Sequence, residues 1–117
     1  MRLVYASRTG NVKKAADRLM ARDPVRILTG TETVNEDYIL MTYTDGRGAI
    51  PAIVDLFLQS NAALCRGAAV FGNSEKHPDT FCGAADQIRA KYHIPIIGRM
   101  EYDGDPDIEL EIRSMLK

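Results

Sequence analysis

The chain has 117 residues, 15 basic and 16 acidic, with a formal net charge of −1; 45% are hydrophobic and 26% charged. This predicts a single domain over residues 1–117, with no apolar run near the roughly 18 residues of a membrane span. The near-neutral balance argues against a basic face for nucleic acid, and the amphipathic start Met1-Arg2-Leu3-Val4-Tyr5 predicts a cytoplasmic chain without a signal peptide.

In chain order, Arg2 to Ala6 reads as a short strand. Val12, Ala15, Ala16, Leu19 and Met20 recur at offsets of three and four, predicting a helix from about Asn11 to Arg22. After Pro24, Arg26 to Leu28 gives a second strand, and Asp37 to Thr44 a third, β-rich and nearly continuous in apolar character. The nine residues from Thr29 to Asp37 are too few for an ordinary crossover helix, so a compact turn is expected. Pro51 suits the first position of a helix that buries Ile53, Leu56 and Phe57. Ala68 to Phe71 is the fourth strand. Phe81, Ala84, Ala85, Ile88 and Tyr92 form another helical stripe, and Ile94 to Ile97 the fifth strand. Asp105-Pro106 is a cap followed by a first-turn proline, continued by Ile108, Ile112, Met115 and Leu116. This alternation predicts an α/β fold with a doubly wound, mostly parallel sheet.

Cys65 and Cys82 are the only cysteines. Two thiols are able to pair, but a reduced pair at apolar positions is the preferred reading. Their spacing from His77 and His93 matches no zinc pattern, and no metal site is expected.

In open α/β sheets, ligands bind beyond the carboxyl ends of the strands, where strand order reverses. The first such end carries Tyr5-Ala6-Ser7-Arg8-Thr9-Gly10-Asn11-Val12. Ser7 and Thr9 offer hydroxyls, Gly10 allows close backbone approach, and Asn11 adds an amide. With the N–H groups of the following helix, these make a cradle for one phosphate. The same residues also suit a plain helix cap. The stretch is neither a Walker loop nor a Gly-x-Gly-x-x-Gly turn.

After the third strand comes Thr42-Tyr43-Thr44-Asp45-Gly46-Arg47-Gly48, suited to presenting backbone groups to a planar ring. After the fourth comes Gly72-Asn73-Ser74-Glu75-Lys76-His77-Pro78-Asp79. All three loops belong to one sheet edge, and the turns of the opposite edge are expected to carry no comparable polar cluster. A mononucleotide with a flat head group fits this set. Tyr43 and His77 also read as ordinary surface turn residues.

Residues 7–12 (Ser-Arg-Thr-Gly-Asn-Val) resemble the phosphate loop of flavodoxin-like proteins. The closer resemblance is to the NrdI family, small flavodoxin-like partners of class Ib ribonucleotide reductase. It rests on residues 7–12, on Thr42 to Gly48 with Pro51, on Gly72-Asn73 with Phe81, and on Tyr92 to Ile96 followed by Glu101-Tyr102-Asp103-Gly104. The chain departs from the family's pattern at Arg47, and in the third loop, where His77 takes the place of an aromatic residue.

The resemblance implies a flavodoxin-like five-stranded parallel sheet of order 2-1-3-4-5 and bound FMN. It implies FMN contacts from Ser7, Arg8, Thr9, Gly10, Asn11 and Val12, then Thr42, Tyr43, Thr44, Gly46 and Gly48, then Asn73, Ser74 and His77, with Gly46 and Gly48 near the flavin ring. It further implies an electron-donating reductase, dioxygen, and the dimanganese small subunit of class Ib ribonucleotide reductase as partners. The reduced flavin would give a superoxide- or peroxide-level oxidant for assembly of the subunit's tyrosyl radical. The chain would act as an activase, its redox chemistry carried by the flavin rather than by a catalytic side chain. A general flavodoxin electron carrier and a flavin-free binding module are the alternatives.

Overall fold

Successive residues of the inner strands point to opposite faces of a sheet, and in this chain both faces are apolar. Leu3, Tyr5, Ile39, Met41, Ala69 and Phe71 pack on one side; Val4, Ala6, Tyr38, Leu40, Ala68 and Val70 pack on the other. The structure is a computed structural model describing residues 1–46 and 48–116. Its strands are β1 (Arg2–Tyr5), β2 (Val25–Arg26), β3 (Tyr38–Tyr43), β4 (Cys65–Gly72) and β5 (Ile96–Glu101). They pair in parallel in the order β2-β1-β3-β4-β5. Helices α1 (Asn11–Leu19) and α4 (Pro106–Leu116) cover one face, and α2 (Ala52–Asn61) and α3 (Gly83–Tyr92) the other. No helix among the described residues is long and apolar enough to cross a membrane.

Several element ends differ from the sequence reading. Helix α1 stops at Leu19 because Met20 turns left-handed (φ 52°), so Met20 leaves the buried stripe and is 88% exposed. Pro51 is the residue before α2, not its first helical residue: its ψ of 140° is extended, and its carbonyl accepts from Val54 and Asp55 N–H. Leu56 of that helix is also exposed. Helix α3 begins at Gly83, leaving Phe81 in the preceding turn. Strand β4 starts at Cys65, with a register shift that leaves Arg66 unpaired with β3. Strand β5 starts at Ile96 and runs on to Glu101, since Gly67, Gly98 and Arg99 interrupt the apolar runs but pair in register with the neighbouring strands. In β2 only Val25 and Arg26 pair as a strand; Ile27 N–H still donates to Tyr5 O at 2.8 Å, and Leu28 is exposed. Cys65 and Cys82 are free and buried.

The chain crosses from β2 over β1 to β3 without a helix, so its polar backbone needs other partners. Glu32 supplies one set. Its carboxylate accepts from the N–H groups of Leu28 (2.8 Å), Thr29 (3.0 Å) and Gly30 (2.9 Å). Asn61, buried at the end of α2, supplies the other: Oδ1 accepts from Val34 N–H, and Nδ2 donates to the Glu32 and Phe57 carbonyls. Tyr38 OH donates to the Asn61 carbonyl from below.

Burial by itself raises the Glu32 carboxyl, but the N–H donors of Leu28, Thr29 and Gly30 outweigh it and hold the group down at about 2. A folded value below the unfolded one gives stability that is present above the ordinary carboxylate range and lost as pH falls toward 2. Glu32→Gln therefore costs about 1–3 kcal/mol at pH 7. The gap between the two proteins narrows as pH drops from 5 toward 2, as read by urea denaturation at a series of pH values.

Candidate functional site

Strand order reverses between β1 and β3, and the segments that follow these two strands diverge there. A groove of about 1130 Å³ opens at this edge and continues under the loop after β4. Of the residues picked from sequence, Arg8, Thr9, Asn11, Val12, Tyr43 and Thr44 line it, as do Gly46, Asn73 and His77. Ser7, Gly10, Thr42, Gly48 and Ser74 are not among its lining residues. Arg47 lies outside the described residues.

The first loop is built around Gly10, which precedes α1 in a left-handed conformation (φ 96°) and has nothing within 4 Å of where a Cβ would project. Gly10, at the cap position, has no side chain with which to cap the helix. Ser7 Oγ accepts from Lys13 N–H at 3.2 Å, and Lys14 N–H closes the first helical bond onto Gly10 O. The N–H groups of Asn11 and Val12 precede that bond and have no intrahelical acceptor. Asn11 Nδ2 reaches Thr9 Oγ1 at only 3.4 Å, so amide and hydroxyl are weakly held. Donors with few internal partners, gathered at the positive end of a helix, suit a phosphate.

The second loop folds back on itself: Asp45 and Ala49 exchange two backbone hydrogen bonds of 2.9 Å. Its two glycines differ. Gly46 (φ 43°) is exposed, with open space around it. Gly48 (φ 87°) is pressed against the start of α3, where a Cβ on Gly83 would come within 2.8 Å of the Gly48 Cα and carbonyl oxygen. Gln87 Nε2 donates to that carbonyl at 3.0 Å. Space around the backbone is thus open at Gly46 and taken up at Gly48.

Arg8 ties the first loop to the second. Its Nη1 donates to Asp45 Oδ1 at 2.6 Å, and its guanidinium lies 5.0 Å from the Tyr43 ring centroid. Both partners are substantially exposed, which limits the pair to under about 1 kcal/mol. Burial raises the Tyr43 phenol above its usual range, with Arg8 opposing. Thr42 is fully buried and donates to the Tyr43 carbonyl, so it braces the strand end and does not face the groove.

The third loop winds around Asn73, whose Oδ1 accepts from Glu75 and Lys76 N–H while its carbonyl accepts from His77 N–H. Ser74 anchors the loop to the end of β5 through its N–H (3.1 Å) and hydroxyl (2.6 Å), both donated to Glu101. His77 is exposed on the groove wall.

Sequence reasoning passed over the apolar lining. Phe71, Phe81 and Cys82 form the floor beside Gly72, and Tyr102, 48% exposed, stands at the rim just past β5. Burial pushes the Cys82 thiol up to about 11, so it packs here as a neutral group. The signal was present in the last apolar residue of β4 and the first aromatic after β5, had every strand end on this edge been followed. A second correction concerns the opposite edge. It carries a depression of about 600 Å³ lined partly by Arg2, Arg22, Asp23, Glu36 and Arg113, which arrive from distant parts of the chain. Arg2 there is already matched by Glu36 and the Asp23 carbonyl.

One observation tests whether the groove suits a phosphate-bearing ligand with a flat ring. Thr44 lines it with a hydroxyl that is buried yet has no hydrogen-bond partner among the described residues. Such an orphan is an unmet site for a ligand polar atom, and the apolar floor beside it suits a ring face. The residues present fit. Since the hydroxyl contributes no bond to the free protein, Thr44→Val leaves stability unchanged or raises it by up to about 1 kcal/mol in urea titrations. A loss on that substitution would reveal a partner for the hydroxyl within the chain.

Comparison with known proteins follows this geometry. A model of the family described as NrdI flavodoxin-like matches residues 3–113. A relative named Protein NrdI from Bacillus licheniformis is 36% identical over 111 residues, covering 94% of this chain and 83% of the relative. Another of that name from Deinococcus radiodurans is 34% identical over 119 residues, covering 99% and 82%. In Bacillus subtilis an SPbeta prophage-derived protein NrdI is 34% identical over 104 residues, covering 87% and 80%. Among solved structures, a short-chain flavodoxin associated with a PDU bacterial microcompartment superposes with a TM-score of 0.66. It is 16% identical, over 98% of this chain and 92% of that one, which supports the fold alone.

Proposed function

The chain belongs to the NrdI flavodoxin-like family, and from that premise we propose that its groove binds a flavin, specifically flavin mononucleotide. When bound, the flavin supplies the redox chemistry: electrons taken from a reductase pass to dioxygen, giving a superoxide- or peroxide-level oxidant for the dimanganese–tyrosyl radical cofactor of a class Ib ribonucleotide reductase small subunit. The observation that carries this reading is the meeting, on one sheet edge, of a phosphate-sized turn with a groove lined by Tyr43, Thr44 and Gly46.

The chain's own residues bind and orient. The N–H groups of Asn11 and Val12, the Asn11 side-chain amide and the Thr9 hydroxyl would hold the phosphate. Ser7 Oγ, an acceptor toward Lys13 N–H, keeps its own O–H free to donate. Thr44 Oγ1 gains its missing partner from the ligand's polar edge. Phe71 and Cys82, buried in the groove lining, would exclude water from a bound ring. Gly46, with open space where a Cβ would project, would let its peptide present either C=O or N–H to a bound flavin.

The second reading is a general flavodoxin electron carrier. The balance of charge around the groove favours the first. Along the three loops the sequence sets Arg8, Arg47 and Lys76 against Asp45, Glu75 and Asp79, three against three, so the loops carry no net negative charge to repel a departing superoxide anion.

Thr9→Ala with Asn11→Ala should weaken FMN by on the order of 1–3 kcal/mol per lost phosphate hydrogen bond and spare riboflavin, which has no phosphate. Parallel fluorescence titrations measure both ligands, and equal weakening would reduce these residues to a structural role. The activity itself is tested by mixing the reduced flavin-loaded protein, dioxygen and a manganese-loaded small subunit, then recording tyrosyl radical by electron paramagnetic resonance. Radical above the flavin-free control supports the activase reading; none would leave the carrier reading in its place.

A further inference from the structure

Four cations stand at the first loop, the first turn of α1 and the strand beside them: Lys14 is exposed to solvent, and Arg8 and Lys13 are matched by carboxylates. Arg8 pairs with Asp45 at 2.6 Å, and Lys13 with Asp17 at 2.8 Å. Arg26 is different. It ends β2, in register with Tyr5 of β1, and its side chain is half-buried beneath the loop. The guanidinium carbon lies 5.8 Å from the Tyr5 ring centroid, and Nη2 donates to the Ser7 carbonyl at 3.3 Å, a long bond. Its Nε is buried without a partner among the described residues. No carboxylate among the described residues forms an ion pair with it.

A guanidinium that has lost water at Nε and gained no counter-charge is destabilising in the free protein. An anion from outside the chain would offset this. The carbonyl that Arg26 holds belongs to Ser7, the residue that opens the loop and whose hydroxyl meets Lys13 N–H. The cation therefore stands directly behind the turn that presents N–H groups at the start of α1.

We propose that Arg26 is a positioning residue for the ligand phosphate: it fixes the Ser7 peptide and supplies the positive charge that Arg8 and Lys13, already paired, do not. This rests on the reading of the groove as an FMN site. Arg26 does not line the groove, so its effect reaches the phosphate through the loop and through the field it adds to the helix terminus.

The test uses flavin-stripped R26Q and R26K proteins, each titrated with FMN and with riboflavin at low and high salt and melted without ligand. R26Q keeps a donor toward the Ser7 carbonyl but loses the charge; it should bind FMN about tenfold more weakly, with riboflavin altered less than about twofold. R26K keeps the charge and should hold FMN within about threefold of wild type. Added salt should weaken FMN binding by wild type more than by R26Q. Undiminished FMN binding by R26Q overturns the inference, as does equal weakening of both ligands with a lowered melting temperature, which is what a scaffold role gives. Should R26Q not fold, R26K decides: FMN held within about threefold supports the proposal, and parallel loss of both ligands overturns it. Wild-type protein that binds neither flavin removes the FMN reading and this inference with it. Wild-type protein that binds FMN while the Arg26 expectations fail removes the inference alone.

Discussion

The sheet order depends on a crossing made without a helix. The chain leaves β2 at one edge and returns over β1 to start β3 through a span whose backbone is satisfied by the Glu32 carboxylate and the Asn61 amide. If those groups did not take up the loop's N–H and C=O, the passage would carry unmet polar groups against the edge of the core. Because it closes, β1 has a neighbour on each side and strand order reverses beside it. The reversal separates the first loop from the second and leaves the groove between them.

The three loops are then held by contacts with little side-chain bulk. Gly48 meets Gly83 backbone to backbone, Gln87 holds the Gly48 carbonyl, and Ser74 is fastened to Glu101. Arg8 and Asp45 clasp the first two loops at the surface, where the pair adds little stability but fixes the spacing. The rigid parts of the site are thus its back and its floor, and the free parts are Gly46 and the donors of the first loop.

Much of this was legible beforehand. Strands buried on both faces leave unbroken apolar runs, so β1 and β3 were found within a residue of their ends. Strand β5, with Gly98 and Arg99 in its middle, has no such run, and its second half was missed. Periodicity put Met20 in the core because it registers spacing and not the left-handed turn that ends α1. For the site, polar and glycine-rich loops announce themselves by composition, whereas Tyr102 and Phe71 are groove residues only because neighbouring strands end side by side. Arg26 was equally hidden. Its meaning lies in the absence of a partner, which depends on every residue that folds around it.

Strand β2 pairs through only two residues, and the chain then turns away into the Glu32-bound loop. The consequence is colloidal. A net charge of −1 gives this protein little mutual repulsion in solution, so a long open sheet margin would template strand addition from a second molecule. A margin of two residues offers an incoming strand too few hydrogen bonds to stay. The brevity of β2 thus keeps a second molecule from extending the sheet at that edge.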